Sequence, residues 1–100
     1  FTYVQANSSV GKNTVLLSHV NISHNTRIGD SCFIAGGAMI GAYTQIDDFV
    51  FVGQGTVSIS SKCKYIGDHA YIGAGSLLTK DIPSNMVVAG SPARVLRTLE

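Results

Sequence analysis

Charge is scarce in this chain. Only 13% of its 100 residues are Asp, Glu, Lys or Arg, about half the roughly 25% of an ordinary soluble domain. So little charged surface implies that part of the outside is covered, and an oligomer is the simplest cover. A net charge of +1, with aromatics that are not interleaved with basic residues, argues against a nucleic-acid surface. No apolar run approaches the length that spans a bilayer, and the N-terminus carries neither a charged leader nor a continuous apolar core. Cysteine is equally sparse: Cys32 and Cys63 show no CxxC spacing and no partners for a disulfide framework. The expectation is a reduced, cytoplasmic chain with no membrane partner. Phe1 already lies close to a repeat anchor, as expected of a domain whose upstream neighbour is missing.

What the chain has in abundance is a period. An aliphatic residue returns every sixth position at Val4, Val10, Leu16, Ile22, Ile28, Ile34, Ile40, Ile46 and Val52, then at Ile66, Ile72 and Leu78 after a two-residue slip. Six fits neither the helical period nor the alternation of a sandwich strand. Four residues after most anchors the side chain is small, as at Thr14, Thr26, Cys32, Ala38, Thr44, Thr56 and Ser76. Large and small inward positions in turn pack a narrow tube, and three six-residue sides close one coil of about 18 residues. The spacing predicts an all-β, parallel β-helix of hexapeptide repeats over residues 1–82. A cap follows over 83–100, with a short β-prone run at Met86 to Ala89. Ser91 and Pro92 read as an N-cap and first helical position, opening a terminal helix through Arg94 and Arg97.

Stacking the coils turns the sequence into columns. One corner reads Ala35-Gly36-Gly37, Gly53-Gln54-Gly55 and Gly73-Ala74-Gly75, almost bare of side chains, so backbone amides are reachable there. The next reads Ser23-His24-Asn25 above Gly41-Ala42-Tyr43, which leaves only a methyl group under His24 and predicts a pocket beside its imidazole. The third carries Asp30, Asp47, Asp48 and Asp68. Val15, Phe33, Phe51 and Tyr71 make one outward apolar stripe, and Met39, Val57 and Leu77 a second, whereas Arg27 and Gln45 mark a wet face. Two exposed apolar stripes predict subunit contacts. Five of the seven basic residues, Lys62, Lys64, Lys80, Arg94 and Arg97, fall in the last forty positions, a hint of an anionic partner at that end.

The chemistry-bearing residues are few. His19 and His24, spaced H-x4-H, bound one face and are expected to act on the same bound group. They read either as metal ligands lacking the third donor that zinc requires, or as one general base and one positioning group, since an imidazole titrates near neutrality. His69 sits far away on the acidic corner. Cys32 points inward, out of reach of substrate. Gly73 to Gly75 is too short for a phosphate loop, and no P-loop lysine follows it.

The repeats, the run His24-Asn25-Thr26-Arg27-Ile28-Gly29-Asp30, the segments Ile72-Gly73-Ala74-Gly75-Ser76 and Thr79-Lys80-Asp81-Ile82-Pro83, and the ending Val88-Ala89-Gly90-Ser91-Pro92-Ala93-Arg94 resemble the hexapeptide acyltransferases. Within these the chain is most similar to the sugar acetyltransferases that modify sialic acids or nucleotide-linked amino sugars. The resemblance implies a left-handed parallel β-helix, a homotrimer and acetyl-CoA bound between subunits, with no metal expected. It also implies an acetyl transfer to an amino or hydroxyl group of a sugar or nucleotide sugar. His24 matches the family's base, with Asn25 where the family often has an acidic residue. The family's N-terminal nucleotide-sugar domain is absent from these residues. Carried onto this sequence, the mechanism expects His24 as base, His19 and Asn25 positioning acceptor or acetyl group, and an amide near Gly41 and Ala42 holding the oxyanion. The pantetheine arm would lie along Gln54, Gly73, Ala74 and Gly75, with Lys80 or Arg94 at the phosphates. H-x4-H before Ile-Gly-Asp also resembles the γ-class carbonic anhydrases, which hold zinc between subunits, but no histidine precedes His19 and no Arg-Gly-Asp stands upstream. A non-catalytic trimeric repeat scaffold is the third reading.

Overall fold

Each six-residue unit folds as a two-residue strand and a corner, so the aliphatic anchor points inward and the residue before it outward. The computed structural model describes residues 1–99. Its strands are β1 (Tyr3–Val4), β2 (Ser9–Val10), β3 (Val15–Leu16), β4 (Asn21–Ile22), β5 (Arg27–Ile28), β6 (Phe33–Ile34), β7 (Met39–Ile40), β8 (Gln45–Ile46), β9 (Phe51–Val52), β10 (Val57–Ser58), β11 (Tyr65–Ile66), β12 (Tyr71–Ile72), β13 (Leu77–Leu78), β14 (Met86–Gly90) and β15 (Ala93–Thr98). They form three sheets: β1-β4-β7-β10-β13, β2-β5-β8-β11, and β3-β6-β9-β12-β14-β15. Coil stacks on coil with Tyr3 opposite Asn21 and Asn21 opposite Met39, a step of 18. Between β10 and β11 two residues are inserted, and the step becomes 20, with Gln45 opposite Tyr65 and Phe51 opposite Tyr71.

The anchors from Ile22 to Leu78 are at most 3% exposed, each burial contributing about 1.5–3 kcal/mol. Where the small inward residue is polar, its hydroxyl bonds the coil below or, at Ser76, the Gly73 carbonyl of its own turn. Ser8 Oγ donates to the Ser23 carbonyl at 2.6 Å, Thr26 Oγ1 to Gly41 at 2.8 Å and Thr44 Oγ1 to Cys63 at 3.1 Å. Among the described residues no buried side-chain nitrogen or oxygen lacks a partner, so a partly polar bore costs little. Cys32 and Cys63 are both buried. Burial, with Asp81 adding to it, pushes the Cys63 thiol up to about 11, and burial raises Cys32 as well. Neither is a nucleophile at neutral pH.

The second turn residue of most corners lies in the left-handed region, from Asn7 (φ 60°) through Asn25 (φ 57°) and Tyr43 (φ 57°) to Gly75 (φ 71°). That conformation reverses the chain at each corner, and Asn tolerates it best after Gly. Gly41 is required for a different reason: a Cβ there would lie 2.7 Å from the Ser60 amide nitrogen.

The inward column continues past the last regular repeat. Ile82 bridges Ile66, and Val88 lies opposite Ile72, both buried. The terminal helix expected after Ser91 is absent; β15 runs antiparallel to β14 instead. β14 is the last parallel strand of its sheet and has an open edge, which β15 covers from Gly90–Ala93 to Met86–Thr98. A helix of two turns is marginal by itself and would leave that edge unpaired. Pro92 serves the reversing turn rather than a helix start. Among the described residues no helix is long and apolar enough to cross a membrane.

The three outer faces differ as their columns suggest. Phe33 and Phe51 stack at 5.6 Å between centroids, and Phe51 and Tyr71 at 4.6 Å, on the sheet that contains β6, β9 and β12. Met39, Val57 and Leu77 stand on the sheet of β7, β10 and β13. On the third sheet Arg27 and Gln45 face solvent, and Tyr65 donates its hydroxyl to Asp47.

Candidate functional site

His24 and Asn25 form the corner between β4 and β5. The Asn25 amide donates to the Ala6 carbonyl at 3.1 Å, which holds the turn against the previous coil. His24 Nδ1 lies 3.0 Å from Asn25 Oδ1. With the amide oxygen accepting, Nδ1 carries the proton and Nε2 keeps its lone pair, the tautomer a general base needs. The imidazole meets Tyr43 edge to face at 5.4 Å. Beside it opens a cleft of about 600 Å³ lined by His24, Ala42, Tyr43, Ser60, Ser61 and Lys64.

The two-residue insertion builds one wall of that cleft. Lys62 and Cys63 both donate their amides to the Ile59 carbonyl, at 3.1 and 2.9 Å, which folds the extra residues into a tight loop. Cys63 drops into the tube while Ser60, Ser61 and Lys64 stay outside. None of Tyr43, Ser60, Ser61 and Lys64 stands out by residue type. The signal that finds them is the position of the slip, one coil below Ala42 on the His24 column.

The amides expected to hold an oxyanion are already engaged. Gly41 N–H donates to Ser58 Oγ and Ala42 N–H to Ser60 Oγ, both at 2.8 Å, and the Tyr43 amide donates to the His24 carbonyl. Serines at 58 and 60 sit under these amides and satisfy them. Ser60 Oγ accepts from Ala42 and retains its own O–H as a donor.

At the bare corner, a Cβ added to Gly37, Gly55 or Gly75 would meet nothing within 4 Å. At several other corner positions the first turn amide is taken by a side chain one coil on: Lys12 by Asp30, Asp30 by Asp48, Ala42 by Ser60. Below Gln54 and Ala74 stand Ala74 and Gly90, which have no side-chain acceptor to offer. The Gly73 and Gly75 amides instead donate to Val88 and Gln54 carbonyls. A groove of about 350 Å³ crosses the sheet between this corner and the His24 corner, lined by Met39, Gly41, Val57, Ser58 and Ile59 and ending at Ser60, where the His24 cleft begins.

His19 tops the bare-corner column and its ring lies 5.9 Å from Phe1. Residues 20–23, with β4 at their centre, span the face between it and His24, and the two histidines stand on the corners at its ends, so within one chain the two imidazoles do not converge on one group, contrary to the expectation from H-x4-H. Lys80 and Arg94 share a pocket of about 190 Å³ with Asp81 at the end of the tube. Arg94 pairs with Ala89, whose Cβ lies 3.0 Å from the Cβ position of Gly73, and so stands closer to the bare corner. Lys80, two residues past β13, lies on the His24 column.

Residues 7–42 match the family described as bacterial transferase hexapeptide (six repeats). The acyl-[acyl-carrier-protein]–UDP-N-acetylglucosamine O-acyltransferase of Aliarcobacter butzleri is 38% identical over 92 residues, 92% of this chain and 34% of that protein. The chain thus spans about a third of the length of the curated relatives it matches. Among solved structures, the UDP-N-acetylglucosamine acyltransferase of Arabidopsis superposes with a TM-score of 0.84 at 28% identity, over 89% of this chain and 30% of that one. A hexapeptide-repeat acetyltransferase of Vibrio cholerae, complexed with acetyl coenzyme A, has a TM-score of 0.86 over 99% of this chain and 65% of its own; at 21% identity that likeness is one of fold. The sixfold period and the three stacked sheets make the chain a β-solenoid of hexapeptide repeats, and these matches make it similar to the hexapeptide-repeat transferases.

Proposed function

We propose that the chain is the repeat region of a thioester-dependent acyltransferase. Acetyl-CoA is the donor, a hydroxyl of a sugar or nucleotide sugar is the acceptor, and His24 is the base. The observation that carries this reading is the exposed His24 imidazole, oriented by Asn25 at 3.0 Å over a cleft that continues into an apolar groove. The relative named for O-acylation of UDP-N-acetylglucosamine supports a sugar hydroxyl over an amine. The acetyl-CoA complex of a protein with the same fold supports the donor.

In this mechanism His24 Nε2 takes the hydroxyl proton as the acceptor oxygen attacks the thioester carbonyl. The tetrahedral carbon then releases the thiolate, which takes the proton back from the imidazolium. One C–O bond forms and one C–S bond breaks, with no covalent enzyme intermediate. Because the Gly41 and Ala42 amides are occupied, the Ser60 hydroxyl is the donor assigned to the developing oxyanion. The pantetheine arm pairs with the Gln54 and Ala74 amides at the bare corner and follows the Met39–Val57 groove. Arg94, and Lys80 beyond it, meet the phosphates. A homotrimer, packed through the two apolar faces, covers that groove.

Asn25 orients the imidazole but, being neutral, does not stabilise its charged form. Asn25→Asp therefore sets a carboxylate against the ring and favours its charged form. Activity requires the deprotonated imidazole, so the acidic limb of the kcat/KM profile moves to higher pH, while the plateau above it rises with the stronger base. The assay is acetyl transfer from acetyl-CoA to UDP-N-acetylglucosamine across pH 5–9. An unmoved acidic limb in an active variant removes His24 from the base role.

A further inference from the structure

Charge on this solenoid is sorted by corner. Asp30, Asp48 and Asp68 stack on one corner, with Asp47 beside them. The His24 corner column carries no carboxylate over its coils, reading Ala6-Asn7, His24-Asn25, Ala42-Tyr43 and Ser60-Ser61, and the insertion brings Lys62 and Lys64 to it. Asp81, the acidic residue that follows Lys80, uses its carboxylate on the Lys64 and Tyr65 amides, at 2.7 and 3.2 Å. Among the described residues the one ion pair joins His69 to Asp68, so the Lys64 ammonium lines the cleft without a carboxylate of its own chain.

Lys64 is held in place on both sides of its backbone. Its amide donates to Asp81, and its carbonyl accepts from the Gln45 amide at 2.9 Å. A lysine fixed at its root, at the mouth of the cleft that contains His24, is placed to read a charge on whatever occupies that cleft.

We infer that Lys64 is a specificity-determining residue that selects an acceptor sugar carrying an anionic group, a carboxylate or a phosphate, and disfavours neutral sugars. This deepens the acyltransferase reading and rests on it. The ammonium supplies a charge-assisted hydrogen bond to the anion, and the Ser61 hydroxyl beside it contacts the ring. The anion positions the sugar; the hydroxyl that meets His24 lies elsewhere on it. The same ammonium would also attract a donor phosphate, so the test must separate acceptor from donor.

The experiment is calorimetric binding of matched sugars to the full chain: N-acetylglucosamine 1-phosphate against N-acetylglucosamine, and glucuronate against glucose. Acetyl-CoA is titrated separately. In the wild type at least one charged sugar binds about tenfold or more tighter than its neutral match. Lys64→Met brings the pair to within about twofold, Lys64→Arg restores most of the preference, and acetyl-CoA affinity is unchanged in both variants. No preference for either charged sugar, including no binding of any of the four, overturns the inference. So does a Lys64→Met variant that keeps the preference, or one that loses acetyl-CoA affinity alone, which assigns Lys64 to the donor. Failure of wild-type protein to bind acetyl-CoA sinks the acyltransferase reading instead, and the two failures are read in different titrations.

Discussion

Replacing His24 with alanine lowers single-turnover acyl transfer by about 10²- to 10⁴-fold, the usual contribution of a general base. The protein keeps its assembly and its donor affinity. The ring is exposed, hydrogen-bonded to Asn25 and edge-on to Tyr43, while the corner itself is held by backbone bonds from Asn25 to Ala6 and from Tyr43 to the His24 carbonyl. Those bonds survive the substitution. His19→Ala costs less, because His19 stands a full face away. Quenched-flow release of thiol from acetyl-CoA, measured beside zinc content, separates the readings. Equal loss of activity and stoichiometric zinc in both variants would favour a metalloenzyme, and full activity in His24→Ala would favour a scaffold.

Phe51→Asp is expected to take the proposed trimer apart. Phe51 is the middle ring of the Phe33–Phe51–Tyr71 stack, at 5.6 and 4.6 Å from its neighbours. It is only partly buried in the isolated chain, so its backbone and the Val52 anchor behind it tolerate a smaller side chain. A carboxylate there, buried against a second copy without a partner, costs far more than the contact it replaces. Light scattering is expected to shift from a trimer to a monomer at micromolar concentration, with circular dichroism unchanged and acyl transfer lost. A wild-type monomer, or an intact trimer in the variant, would remove the basis for a donor groove at the subunit boundary.

The tube was legible because a single rule, one large aliphatic residue in six, repeats from Val4 to Leu78. The cap was not. Ser91-Pro92 is a helix-start signal in isolation, but the open edge of β14 offers more hydrogen bonds than two helical turns, and tertiary pairing overrides local propensity. The site was half legible. His24 above Ala42, and the glycine column, follow from an 18-residue stacking rule applied to the sequence. The Gly41 and Ala42 amides were misjudged because their acceptors, Ser58 and Ser60, act one coil away, and small side chains at a corner do not mean free backbone. The slip reads as an interruption in one dimension; in three it is the wall that brings Ser60 and Lys64 to His24. His19 and His24 look paired by spacing, yet they stand on the two corners at either end of the face that carries β4.

The proposed donor site is the bare glycine corner, and titration of acetyl-CoA into the wild type and Ala74→Trp tests that directly. Ala74 is exposed and Gly75 beside it leaves open space, so the indole fits without disturbing the coil and covers the Gln54 and Ala74 amides. Saturable binding in the wild type, weakened at least about tenfold in an Ala74→Trp protein of unchanged assembly size, is the predicted result. Undiminished acetyl-CoA affinity in Ala74→Trp would contradict it.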